Sequence, residues 1–276
     1  MEDLTSLLRD AKYLPSTEIT TISKLALTLK KPILVEGPPG VGKTALAKAL
    51  ATATNAQFFR IQCYEGITAE QVIGEFNYQR QLLAIELAQS GQISDVFTPE
   101  FFIARPLLQA LQTETAVVLL IDEIDRADEE FEALLLEALA ENQVTIPELG
   151  TIHGSGHPLV VLTSNATRQL SGALRRRSLY LALDYPTPSR EQEIIKLHVP
   201  DLDEQLYQRI VLLLSRIRQA DSIRQPPSIS EGIELAQALA VLGAEYLEGD
   251  KLNQILGLLV KSKADTTALK KLLLDK

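Results

Sequence analysis

The stretch Gly37-Pro38-Pro39-Gly40-Val41-Gly42-Lys43-Thr44 decides the fold. It matches the spacing G-x-x-x-x-G-K-[ST] at every fixed position, and both flanks suit it. Before it, Pro32-Ile33-Leu34-Val35-Glu36 is a short apolar run with the texture of a buried parallel strand. After it, Ala45-Leu46-Ala47-Lys48-Ala49-Leu50-Ala51 is made of strong helix formers. Strand, glycine loop and helix start form the arrangement a polyphosphate needs. The glycines let successive backbone N–H groups turn inward, at a helix end that already carries partial positive charge. The spacing predicts that Lys43 reaches the β- and γ-phosphates of a nucleotide and that the Thr44 hydroxyl ligates Mg²⁺. A chance glycine turn followed by Lys-Thr would not bring both flanks with it.

Outward from the loop, Ala116-Val117-Val118-Leu119-Leu120-Ile121 is the most strand-like run in the chain, too apolar to have a wet face. It ends in Asp122-Glu123. In an open parallel sheet ligands collect at the carboxyl ends of the strands. Asp122 is therefore expected to hold Mg²⁺ through a water, and Glu123 to orient and deprotonate an attacking water. Asn165 follows a second buried run, Leu159-Val160-Val161-Leu162-Thr163, and is expected to meet the γ-phosphate; its alternative role is to cap the next turn. Arg175-Arg176-Arg177 precedes a last strand, Leu179 to Leu183. Within one subunit the run has no obvious phosphate to reach. In a ring, one of these arginines would enter the neighbour's site and stabilise transition-state charge, an effect worth about 10³–10⁵ in rate. The alternative is a solvated basic helix end favoured by the macrodipole. Gln169-Leu170-Ser171-Gly172 resembles part of a transporter signature but lies after the acidic pair, where that motif would precede it.

The remaining chain fits an α/β sandwich with a mostly parallel sheet. Residues 1–30 read as helical, with Ser16-Thr17-Glu18 as an N-cap run. Phe58 to Cys63 reads as a strand, Tyr64 to Gln81 as a loop or insert, and Leu82 to Gln89 and Pro106 to Thr113 as helices. Phe131 to Glu141 returns to helix period, and Gln143 to Ile152 alternates and turns like a hairpin. After Asp184-Tyr185-Pro186-Thr187-Pro188 no strand pattern remains, and amphipathic helices follow, for example through Leu206, Ile210, Leu213, Leu214 and Ile217. The expected organisation is an α/β nucleotide-binding domain over 1–186, with an insert near 64–81 and a hairpin near 143–158, then a helical domain over 187–276.

Composition narrows the partners. The 276 residues are 46% hydrophobic and 23% charged, ordinary for a globular protein, and no run approaches membrane-spanning length. The single cysteine, Cys63, permits no intrachain disulfide and suits a reducing, cytoplasmic setting; a small buried hydrophobe is its expected role. His153, His157 and His198 lack metal-ligand spacing. A net charge of -9 argues against nucleic acid as the main ligand.

With the glycine loop, Asp122-Glu123, Asn165 and the arginine run in that order, followed by a helical tail, the chain resembles an AAA+ ATPase. Leu120-Ile121-Asp122-Glu123-Ile124-Asp125-Arg126-Ala127 and Gln143 to Ile152 are similar to the MoxR branch of that family. Tyr64-Glu65-Gly66, Glu75 to Leu83, Val144 to Gly150, Leu174 to Arg177 and Pro227-Ser228-Ile229-Ser230-Glu231 have the look of its CoxD-like subgroup. The resemblance implies an AAA+ module, a P-loop αβα sandwich followed by a small all-helical lid. It implies Gly37 to Thr44, with Ala45, as Walker A and Asp122-Glu123 as Walker B, with ATP and Mg²⁺ as cofactors. Asn165 falls at sensor 1, and Arg177, with Arg176 second, at the arginine finger. It implies a homo-oligomer, a hexameric ring, that remodels a protein client, in some members with a von Willebrand factor A domain partner and in maturation of a metalloenzyme. At the place of a sensor-2 arginine this chain has Ile229, with Arg224 nearby as a substitute. Phe76 and Tyr78 are read as facing a pore or partner, or as packing within the insert. Two rival readings are a nucleic-acid motor or loader on the same fold and a nucleotide-operated scaffold with little turnover.

Overall fold

The computed structural model describes residues 3–87 and 95–274. They form two compact units. The first comprises the described residues of Met1–Ala11, Pro15–Gly37 and Lys43–Ala182; the second those of Lys12–Leu14, Pro38–Gly42 and Leu183–Lys276.

In chain order the first unit contains α1 (Leu4–Asp10), α2 (Thr17–Leu29), β1 (Ile33–Glu36), α3 (Lys43–Ala53), β2 (Gln57–Gln62), α4 (Ala69–Val72), β3 (Gly74–Phe76) and α5 (Tyr78–Leu87). It continues with β4 (Phe102–Ala104), α6 (Pro106–Gln112), β5 (Val117–Asp122), α7 (Glu129–Glu141), β6 (Gln143–Ile146), β7 (Gly150–His153), β8 (Leu159–Ser164), α8 (Gly172–Arg177) and β9 (Leu179–Ala182). Five strands make one parallel sheet in the order β2-β5-β8-β1-β9, with helices as crossovers. Every residue of β5 and β8 is buried, which explains their uninterrupted apolar sequence. The register pairs Glu36 with Ser164 and Gln62 with Asp122, so β1, β2, β5 and β8 end at one edge. The core on one side of the sheet joins Leu107 and Leu111 of α6 and Phe131 and Leu135 of α7 to Leu34, Leu119, Ile121 and Leu162.

Two devices fix the two ends of α7. Asp128 caps α7 by accepting the Phe131 N–H at 2.9 Å. The helix ends at Asn142, which has left-handed φ of +51° and donates its side-chain amide to Gly154 and Gly156 carbonyls, fastening the β6–β7 hairpin. That hairpin is where the alternating pattern predicts it.

The stretch 64–81 is more ordered than its reading as a loop. It holds α4, β3 and the start of α5, and β3 pairs antiparallel with β4. Gly74 makes the pairing possible: at φ +151°, a Cβ there would lie 2.3 Å from the Phe102 ring. Phe76 packs edge-on against Phe97 and Phe102 and is buried, so it serves the insert's own packing and does not face outward. Tyr78, 67% exposed, does. The expected helix Leu82 to Gln89 begins earlier, at Tyr78, and residues 88–89 lie outside the described ones.

Beyond Lys12–Leu14 and Pro38–Gly42, the second unit is helical: α9 (Pro188–His198), α10 (Glu204–Arg218), α11 (Ile229–Leu242), α12 (Gly249–Ile255) and α13 (Lys263–Leu274). Its core gathers Ile195, Leu206, Ile210, Leu214, Leu235 and Leu269 around Tyr207, whose hydroxyl donates to the Val199 carbonyl. Among the described residues no helix is long and apolar enough to cross a membrane.

Candidate nucleotide-binding site

In the first unit, three sequence-distant segments converge at the carboxyl edge of the sheet. Lys43 opens α3, Asp122 ends β5 and Asn165 follows β8. Lys43 Nζ donates to the Gly37 carbonyl at 2.6 Å and to Asn165 Oδ1 at 2.7 Å. Thr44 Oγ1 lies 3.2 and 3.3 Å from the two carboxylate oxygens of Asp122. The Asp122 side chain is almost fully buried and takes further donors from Thr163 Oγ1 at 2.5 Å and Arg60 Nη2 at 2.7 Å. A hydroxyl and a carboxylate side by side are hard oxygen donors, and this set fits Mg²⁺, which prefers one or two carboxylates plus phosphate and water oxygens. Among the described residues no cluster of three or more His, Cys, Asp or Glu would hold a metal unaided.

Glu123 adopts left-handed backbone, φ +56°, uncommon for a residue with a side chain. Its N–H donates to Thr163 Oγ1 at 2.9 Å, and its carboxylate pairs with Arg126 at 3.1 Å. The carboxyl group is thus held just past the strand end, on a half-buried side chain. Lys43 is held below the usual lysine range by burial, against the opposing pull of Asp125, Asp122 and Glu123. A polyphosphate would supply the counter-charge that burial removes.

Asp125 escaped the sequence reading as a site residue. Its Oδ2 accepts from the Asn165 N–H (3.2 Å), the Thr167 N–H (3.0 Å) and the Thr167 hydroxyl (2.6 Å), tying the loop after β8 to the turn after β5. Burial acts to raise its pKa, but these hydrogen bonds outweigh it and keep the carboxyl below the ordinary range. Arg60 and Thr163 also escaped. The signals were a charged residue in the β2 run and a hydroxyl near the end of β8, neither of which names a partner. Burial and the neighbouring carboxylates of Asp122, Asp125 and Glu123 push Cys63 up to about 12, consistent with an inert buried thiol.

The arginine run divides. Arg175 pairs with Glu36 at 3.3 Å and lies 5.5 Å from the Tyr180 ring centre, so it is used within its own chain. Arg177 donates to the Leu136 carbonyl at 3.2 Å. Arg176 is exposed, with no bond to another described residue. Ser171, of the discarded transporter-like motif, caps α8 through the Leu174 N–H.

Pro38–Gly42 belong to the second unit. Gly40 has φ +77°, and a Cβ there would meet Ser228 Cβ at 2.1 Å, so glycine is needed on both counts. The Tyr185 hydroxyl donates to the Pro39 carbonyl at 3.3 Å. Ser228 and Glu231 form a capping box that starts α11, and Ile229 is buried behind it. Arg224, the substitute expected from sequence, is exposed and engages Asp265 through its backbone N–H. A half-buried arginine here is Arg218: it forks onto Glu191 at 2.7 and 2.8 Å and donates Nε to the Pro227 carbonyl at 2.7 Å.

A family model for the AAA domain (dynein-related subfamily) matches residues 32–178, just over half of the 276. The chain belongs to this AAA family. Among curated relatives of the AAA protein, the uncharacterized protein SH1500 of Staphylococcus haemolyticus is 26% identical over 85% of this chain and 88% of its own. The proteasome-activating nucleotidase of Methanocella arvoryzae is 27% identical over 78% of this chain and 48% of its own. Among solved structures, a RuvB mutant of Thermotoga maritima superposes with a TM-score of 0.55 at 20% identity, covering 91% of this chain and 72% of that one. That likeness concerns the fold: a P-loop NTPase sheet followed by a helical region.

Proposed function

We propose that this AAA protein is a Mg²⁺-dependent ATP hydrolase that assembles into a ring, hexameric in this reading, and uses turnover to remodel a protein client. The observation that carries the reading is the meeting of Lys43, Thr44, Asp122, Glu123 and Asn165 at one sheet edge. By the spacing of the motif, the N–H groups of the Walker A stretch Gly37 to Ala45, Pro38 and Pro39 having none, would donate to the polyphosphate. Lys43 exchanges its bonds to Gly37 and Asn165 for phosphate oxygens, while Thr44 and Asp122 hold Mg²⁺, Asp122 through a water. Mg²⁺ held by Thr44 and Asp122 would supply charge neutralisation for the phosphates during transfer. Glu123 leaves Arg126 to orient the attacking water and take its proton. Asn165, released by Lys43, positions the γ-phosphate from the neighbouring strand.

For the arginine finger the order expected from sequence is reversed. Arg176 comes first because its guanidinium is exposed and uncommitted among the described residues, whereas Arg177 already spends a donor on Leu136. A protein client is favoured over nucleic acid by the net charge of -9 and by similarity to a proteasome-activating nucleotidase. The insert between β2 and α6 and the hairpin before β8 support the MoxR branch and its CoxD-like subgroup. With that subgroup come a cytoplasmic setting, a von Willebrand factor A domain partner and maturation of a metalloenzyme as the finer proposal. A scaffold with little turnover is the second reading: Ile229, the residue that aligns with a lid arginine, is apolar and buried at the start of α11.

Binding of a fluorescent ATP analogue and steady-state hydrolysis separate the readings. Lys43→Ala should lose binding; Glu123→Gln should bind as the parent does and hold ATP unhydrolysed. A parent chain that binds but turns over no faster than Glu123→Gln would replace the hydrolase with the scaffold.

A further inference from the structure

We propose that Arg60 is a displaceable stand-in for the metal, a cation parked on Asp122 that Mg²⁺ must evict. The inference rests on the ATPase reading in one respect, that Asp122 anchors Mg²⁺. Asp122 carries its charge in a side chain 6% exposed, where an uncompensated carboxylate is costly. Its donors are unequal. Thr163 lies on buried β8, bonds Oδ1 at 2.5 Å and at the same time accepts the Glu123 N–H, so it is a fixed part of the strand end. Thr44 is shared loosely between both oxygens at 3.2 and 3.3 Å. Arg60 is a charged donor to this carboxylate and takes Oδ2 at 2.7 Å.

Arg60 is also the donor best placed to leave. It projects from β2, an edge strand of the sheet, and its side chain is 46% exposed. Gln62, two residues on and on the same face, already accepts a second bond from its guanidinium. Swinging off Asp122 therefore leaves Arg60 with Gln62 and water rather than unsatisfied. A divalent cation arriving at Thr44 and Asp122 repels a guanidinium at this distance, so the two compete for Oδ2. The pair thus keeps the carboxylate ionised and aimed before loading, and raises the Mg²⁺ concentration that loading requires.

The test is the Mg²⁺ dependence of binding of a fluorescent ADP analogue, with Mn²⁺ uptake by electron paramagnetic resonance as a second metal probe. A pair whose arginine stays open to solvent is worth up to about 1 kcal/mol, so Arg60→Gln should lower the Mg²⁺ midpoint about two- to fivefold. Arg60→Lys, which keeps the charge, should stay near the parent. Gln62→Leu removes the parking place and should raise the midpoint, which keeps the test alive if Arg60→Gln fails to fold. The metal-free melting temperature of Arg60→Gln should fall, with the gap closing at saturating Mg²⁺ and ADP. An unchanged or higher midpoint in Arg60→Gln, or a lower one in Gln62→Leu, overturns the inference while leaving the ATPase reading intact. A parent chain that binds the analogue with no response to Mg²⁺ overturns both.

Discussion

Removing the Asp125 carboxylate should loosen the first unit and disorganise the site together. Oδ2 accepts three hydrogen bonds, from the Asn165 and Thr167 N–H groups and the Thr167 hydroxyl. Asp125→Ala strands all three donors. A buried unsatisfied N–H costs roughly 1–3 kcal/mol, but Asn165 is half-buried and Thr167 exposed, so water repairs part of the loss and the net should be about 2 kcal/mol. Asp125→Asn keeps an oxygen that accepts the same bonds and loses their charge assistance, about 1 kcal/mol. The sign of the pH dependence follows from the direction of the shift. A carboxyl whose folded pKa lies below its unfolded value contributes stability that is fully present above roughly pH 4 and lost as pH falls through the folded value. The gap between parent and Asp125→Asn should therefore be constant near neutrality and close in acid. The chain has no tryptophan, so urea unfolding followed by far-ultraviolet circular dichroism is the assay. An Asp125→Ala midpoint equal to the parent's, at unchanged slope, would refute the account of this carboxylate as the tie between the two loops.

Arg218→Ala should destabilise the second unit by about 3–5 kcal/mol in the same assay, because Glu191, 1% exposed, would be left as a buried charge without its partner. Replacing both members by leucine should cost much less than the single change. Cys63, with its thiol pushed up to about 12, should resist alkylation at pH 8 in the folded chain and react once urea unfolds it; brisk labelling of native protein would contradict its burial.

The sheet was legible because parallel strands buried on both faces write themselves as unbroken apolar runs: Pro32–Glu36, Ala116–Ile121 and Leu159–Thr163 match the strands Ile33–Glu36, Val117–Asp122 and Leu159–Ser164 to within a residue at each end. The site residues at their ends followed from the glycine loop and the rule that ligands gather there. The β3–β4 pair was not legible. Its strands are three residues each, far apart in sequence, and depend on a glycine whose missing Cβ matters only once Phe102 is beside it. Arg60, Thr163 and Asp125 were missed for the same reason: each acts through a partner on another strand or loop, and no local pattern names that partner. The division among the three arginines was equally tertiary, since Arg175 is taken by Glu36, 139 positions away.

The shared site is the centre of the account, and mixing two inactive variants tests it most directly. Lys43→Ala lacks a working nucleotide loop but keeps its arginines; the double variant Arg176→Ala, Arg177→Ala keeps the loop and loses both finger candidates. Each alone should be nearly silent in an ATPase assay, and mixed rings should recover activity at the junctions where an intact loop faces an intact arginine. A mixture that stays at the level of its parts, beside a parent whose specific activity does not change with protein concentration, would mean that each chain works alone.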